Sequence, residues 1–330
     1  MDSQYILREH NISKELPRCP DPKDFYRKPT DLQINVVRYN AEEIEFDLIG
    51  VHTSLANAFR RILLSEVPSM AIEKVLVYNN TSLLQDEVLA HRLGLIPLRA
   101  DSRLFEYKPE ADAEPTDQDT LKFELKIKCS RNAAAGKESN RADDLYLNHN
   151  VYSKHIKWLP IGSQSDLYKS TDVGPIHDDI LIAKMRPGQE LNVQLLAVKG
   201  IAKDHAKFSP VATASYRLLP TIHLTREVEG DLAVRLQSCF SPGVIKLVEN
   251  DQGKKVAEVD NARYDTCSRN VFRFADLKDT VVLGRAKDHF IFTIESVGAL
   301  KPDELFLESV KVLKNKCRAF LQQINNVNNQ

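Results

Sequence analysis

The sequence predicts an α+β fold in which a domain of one sheet and two helices is split along the chain and interrupted by a mostly β insert. Residues 31–67 read as a β-hairpin feeding a helix, residues 69–280 as short strands with turn signals, and residues 279–330 as a strand and a long helix again. The expected boundaries are 1–29 for an N-terminal tail, 30–67 and 279–330 for the split domain, and 68–278 for the insert domain. At 330 residues, 42% hydrophobic and 28% charged, the chain can bury sizeable cores in two domains.

Residues 1–29 hold four prolines, many charges and no hydrophobic period, the pattern of a tail or of a strap over a surface. Leu32, Ile34 and Val36 then share one strand face and Ile44, Phe46 and Leu48 another, with Tyr39-Asn40-Ala41-Glu42 between them. A helix is expected after Gly50, with Thr53 or Ser54 as N-cap and Pro68 as stop. Leu55, Phe59, Ile62 and Leu63 form its core stripe. Asn57, Arg60, Arg61 and Leu64 lie on the other side. A leucine among arginines suggests a contact surface, and a solvated face with one stray leucine reads the same way.

In the insert, Leu121, Phe123, Leu125, Ile127 and Cys129 alternate with Lys122, Glu124, Lys126 and Lys128, a strand with one face inward. Arg186-Pro187-Gly188-Gln189 fits a type II turn, and Asp251-Gln252-Gly253-Lys254 joins two apolar runs. One helix is expected here, from Asp86 to Leu93 and ending at Gly94. Residues 106–119 and 130–144 are polar enough to be loops.

Pro302 suits the first turn of the last helix, and Asp303 and Glu304 complement the positive end of its dipole. Phe306, Val310, Leu313, Cys317, Phe320 and Ile324 recur as a heptad seam, while Leu305, Val312 and Ala319 form a weaker stripe nearly opposite. A helix oily on two sides has to be covered twice. The chain's own sheet supplies one cover. No other long helix is evident in the sequence, so a partner chain is the expected second cover, facing the seam, unless the insert folds back over it.

Motifs for catalysis are missing. No P-loop, dinucleotide fingerprint, H-E-x-x-H or G-x-S-x-G occurs. Five scattered cysteines with no C-x-x-C pair fit neither a disulfide framework nor a cysteine-rich zinc site. A net charge of −1 gives no overall attraction to nucleic acid. The first residues lack the apolar core of a leader, and no run of about 18 apolar residues exists, so an intracellular, non-membrane protein is expected. Two alternatives stay open. His177, Asp178, Asp204 and His205 carry the donors of a metal-dependent hydrolase, although such groups more commonly serve turns. Trp158, Tyr146 and Tyr152 lie among lysines and histidines, as in a single-stranded nucleic-acid-binding module, although interior aromatics of a small sheet look alike.

Taken in order, VHTSLANAFRRILLSEVPSMAIEKVLVYNNTSLLQDEVLAHRLGLIPL, DDILIAKMRPGQELNVQLLAVKGIAKDHAKFSPVATASYRLLP and the closing strand and helix resemble the α-like subunits of multisubunit RNA polymerases. The match covers nearly all of the chain after residue 29. It implies a split dimerisation domain around an insert domain, and a non-catalytic subunit that pairs with a small α-like subunit to nucleate polymerase assembly. Polymerase II and many archaeal versions carry a cysteine-rich stretch after the residues matching HRLGLIPL. Residues 99–120 here contain no cysteine, so neither zinc nor another cofactor is carried over. With EKVLVYNNTS and AKFSPVATASYRLLP, this departure makes the resemblance strongest to the branch shared by RNA polymerases I and III. The implied partners are then the second-largest subunits of both enzymes and small zinc-binding subunits nearby, in the nucleus and nucleolus, with no sequence-specific nucleic-acid binding. The implied dimer interface is the seam. The family's large-subunit contact, carried over to the second arginine of the pair, is Arg61, with Asn57, Arg60 and Leu64 as neighbours. A guanidinium there can make forked hydrogen bonds that lysine cannot.

Overall fold

The computed structural model describes residues 4–7, 12–13, 32–110, 113–133, 142–169, 171–250 and 252–328. Most of the expected tail lies outside the described residues. Within it, however, β1 (Gln4–Leu7) and β2 (Ile12–Ser13) are strands. Leu7 sits opposite Leu283 of a long C-terminal strand and is buried. Four residues are too few to display a period, and this strand is specified by the edge it joins.

The chain continues through β3 (Gln33–Tyr39), β4 (Glu43–Ile49), α1 (Thr53–Ser65), β5 (Ser69–Asn80), α2 (Asp86–Gly94) and β6 (Thr120–Lys128). It proceeds through β7 (Lys157–Leu159), β8 (Glu190–Gly200), β9 (Val211–Leu224), α3 (Asp231–Ser238), β10 (Ile245–Glu249) and β11 (Lys255–Val259). β12 (Val281–Ser296) and α4 (Pro302–Asn328) close it. The result is a mixed α+β protein of mostly antiparallel sheets. Among the described residues no helix is long and apolar enough to cross a membrane.

Two compact units form. The first comprises Met1–Tyr39, Glu45–Asn57 and Ser215–Thr293; the second comprises Asn40–Ile44, Ala58–Ala214 and Ile294–Gln330. These units group residues by packing, whereas the sequence boundaries at 67/68 and 278/279 follow changes in the hydrophobic pattern, and the two divisions run differently.

The first unit is built on a sheet in the order β2-β1-β12-β4-β3, with β9 pairing β12 off that path. β4 alternates as expected, and Phe46 stacks on Phe292 with ring centroids 5.4 Å apart. The turn before it, which belongs to the second unit, is held by Asn40, whose Oδ1 accepts from the backbone N–H groups of Glu42 (2.9 Å) and Glu43 (2.6 Å). β3 differs from expectation. Leu32, Ile34 and Val36 are all exposed, because β3 is the edge of the sheet and nothing among the described residues covers it. Helix α3 was not anticipated. It follows Gly230, whose φ of 62° starts it, and buries only Ala233 and Leu236, too few positions to show a helical period.

The second unit contains the antiparallel sheet β7-β6-β8-β5. Leu125 pairs with Val193 and Phe123 with Leu195, all fully buried, which is the alternation the sequence shows. The Arg186–Gln189 turn has Gly188 at φ 93° and a 3.0 Å bond from Gln189 N–H to Arg186 O, as type II requires. β5 and β8 are longer than the short strands expected. Their register shifts between Asn192 and Val193 and between Leu196 and Ala197, and such bulges break the period that would mark one long strand. α2 lies on this sheet with Leu89 and Leu93 buried.

Candidate partner-docking surface

α1 starts from His52 and not from the expected Thr53 or Ser54. The His52 ring Nδ1 accepts from Ser54 N–H at 3.2 Å, so an imidazole does the work assigned to a hydroxyl. The helix buries Ala56, Phe59, Ile62 and Leu63, with Leu55 half-buried. Of its other side, Arg61 is exposed and has no ion-pair partner among the described residues. Asn57, Arg60 and Leu64 are half-buried, and Asn57 and Arg60 are engaged by neighbours.

The first half of α4 is anchored within the second unit. Leu305 is fully buried, and the Phe306 ring packs edge-on against Phe59. Arg103 bonds Asp101 and reaches Glu304, each at 2.7 Å. Burial alone would raise the pKa of Asp101, but the hydrogen bonds and charge of Arg103 hold it below the usual carboxylate value. Lys316 Nζ meets Glu66 at 2.8 Å, the last ion pair along the helix among the described residues.

Beyond Lys316 the helix continues from Cys317 to Asn328, about 18 Å at 1.5 Å per residue. Its apolar side chains there are open to solvent: Phe320 is 63% exposed, Leu321 59%, Ile324 41% and Val327 71%. The expected seam is thus divided. Phe306 and Leu313 are half-buried and Val310 is at the margin of exposure, whereas Cys317, Phe320 and Ile324 are open. Leu321 and Val327 were not part of the seam. Val327 is its next step, three residues after Ile324, and Leu321 falls beside it. Of the opposite stripe, Leu305 is buried, Val312 half-buried and Ala319 exposed.

The candidate hydrolase residues do not gather. His177, Asp178, Asp204 and His205 are all exposed, and among the described residues no three His, Cys, Asp or Glu side chains assemble a metal site. His205 Nδ1 accepts from Lys207 N–H at 3.1 Å, a local turn bond. Of the aromatic residues, Trp158 and Tyr146 both pack against the core of the second unit, and Tyr146 and Tyr152 line one open pocket with His149, Lys154 and His155; Arg186 lies over the Tyr146 ring and Lys154 over Tyr152.

A model of the RNA polymerase Rpb3/Rpb11 dimerisation domain matches residues 45–317. The chain is 55% identical over 307 residues to the human protein named DNA-directed RNA polymerases I and III subunit RPAC1, spanning 93% of this chain and 88% of that one. The Saccharomyces cerevisiae protein of the same name is 48% identical over 289 residues, 87% and 85% of the two chains. The Dictyostelium discoideum protein named DNA-directed RNA polymerase II subunit rpb3 is 31% identical over 294 residues, 86% and 92%. These similarities favour an assembly subunit over either alternative reading of the residues.

Proposed function

The chain belongs to the RNA polymerase Rpb3/Rpb11 dimerisation family, and from that membership we propose that it is the α-like subunit shared by RNA polymerases I and III. It is a non-catalytic assembly subunit. Identity of 55% to a polymerase I and III relative against 31% to a polymerase II relative supports this branch. A nuclear location follows, and with polymerase I a nucleolar one.

The small α-like subunit is the dimer partner in this reading, and the open end of α4 is where it docks. The observation that carries this is the run of Phe320, Leu321, Ile324 and Val327, exposed on a helix whose other half is anchored. Fully burying such side chains stabilises by about 1.5–3 kcal/mol each, set against the entropy lost on association. Arg61, with Asn57, Arg60 and Leu64 around it, is the contact for the second-largest subunits of both polymerases, and small zinc-binding subunits dock beside them. The pair would serve transcription of rRNA, 5S rRNA and tRNA. Affinity purification of the tagged chain from nuclei, with its stoichiometric partners identified by mass spectrometry, tests the reading. Second-largest subunits of both polymerases and a small α-like subunit are expected; recovery of polymerase II subunits in their place would contradict it.

A further inference from the structure

A cavity of about 430 Å³ opens in the first unit, walled by residues of β9, β12 and the segment 264–267. Two guanidiniums line it. Arg217 is fixed by donating from Nη2 to Arg263 O at 2.8 Å, and this leaves its remaining N–H groups available. Arg285 Nε is shut off from solvent and has no hydrogen-bond partner among the described residues, so it holds the guanidinium's inner edge while the rest of the group lines the cavity. Against them stands one carboxyl, Asp265, which is buried and held by the backbone and thiol of Cys267; burial pushes its pKa up despite both arginines. The segment carrying Cys267 is strained, with Cys267 at φ 58° and Arg269 at φ 59°, a region that side chains other than glycine seldom adopt. Leu218 and the Tyr264 ring supply apolar wall.

We propose that this cavity binds a carboxylate side chain from an acidic peptide segment of another protein, with the guanidiniums of Arg285 and Arg217 that line it as donors. Leu218 and Tyr264 receive an apolar neighbour of that residue. A planar carboxylate matches the guanidinium fork. The Asp265 carboxyl opposes a phosphoryl dianion more than a singly charged carboxylate. No residue of α1 or α4 lines the cavity, and its test does not depend on the dimer reading.

Cys267 is half-buried at the cavity and reports on it directly. Its alkylation by iodoacetamide in the full-length chain can be followed by mass spectrometry of the peptide that contains it. The probe is acetyl-Leu-Glu-Leu-Glu-amide; its glutamine analogue and inorganic phosphate are the comparisons. At twice its dissociation constant the acidic probe should slow alkylation about threefold, as expected when only the free form reacts. The glutamine analogue and phosphate should not. Protection should vanish in Arg285→Gln and return in part in Arg285→Lys. Arg217 is exposed, so Arg217→Gln provides the same readout if Arg285→Gln fails to fold. Equal protection by the glutamine analogue, no protection at all, or protection by phosphate matching that of the probe would overturn the assignment.

Discussion

Phe306 meets Phe59 edge to face, with ring centroids 5.2 Å apart and ring planes at 61°. That contact joins α4 to α1 inside the second unit, and it separates two jobs along one helix. Residues up to Lys316 hold the helix in place, and residues after it are left open.

Phe306→Ala should therefore lower the stability of the chain itself, by about 2–3 kcal/mol, below the value for a fully buried ring because Phe306 is only half-buried. Phe320→Ala should change stability by less than about 0.5 kcal/mol. Denaturant titrations of the isolated chain compare the two, and equal losses would refute the division.

Arg263 grips the first unit from its own loop. Its Nε and Nη2 bond Glu45 Oε1 at 2.9 and 2.5 Å, and its Nη1 bonds Asp47 Oδ1 at 2.6 Å, with all three side chains largely buried. Arg263→Ala strands two carboxylates and should cost about 3–5 kcal/mol. Arg263→Lys should restore only part, because an ammonium lacks the fork. Thermal unfolding of the three proteins checks the order.

The Asp101–Arg103–Glu304 tie predicts a pH dependence. The folded-state value of Asp101 lies below its ordinary 3.8, so its contribution is complete above pH 3.8 and is lost as pH falls further through the folded value. Arg103→Ala should flatten that acid limb and cost about 0.5–1 kcal/mol at neutral pH, since the arginine is 40% exposed. An unchanged acid limb in the variant would remove Arg103 as the cause.

The sequence made regular elements legible wherever burial followed a clean period, as in β4, β6 and the buried side of α1. It failed where geometry interrupts the period. The bulges opposite Asn192–Val193 and Leu196–Ala197 made long strands read as short ones. Two buried positions did not reveal α3, and a run of Gln4–Leu7 could not announce a strand that forms by pairing with β12 and β2. Leu32, Ile34 and Val36 alternate like a core face, yet they lie on an uncovered edge, because alternation reports a face and not what covers it. Within the expected seam, Phe306 turns its ring to Phe59 while Phe320 and Ile324 are open to solvent. Spacing along a helix cannot tell an internal neighbour from an external one.

Arg61→Ala should leave the dimer intact and reduce incorporation of the second-largest subunits. The loss is about 2–5 kcal/mol if the arginine pairs with a buried carboxylate, and far smaller at an exposed rim. Recovery of those subunits from cells expressing the tagged variant is the measurement. Equal recovery with variant and native chain would remove Arg61 from that contact.

The most direct test is the dissociation constant of the chain for the small α-like subunit, measured for the native protein, Phe320→Asp and Gln322→Asp. Gln322 is exposed and lies on the far side of α4 from Phe320, Ile324 and Val327. Phe320→Asp exchanges the burial of a ring for the desolvation of a carboxylate, and it should weaken binding by about a hundredfold or more without altering folding. Gln322→Asp should shift it by less than about tenfold. Native affinity in both variants would show that the end of α4 is not where the partner docks.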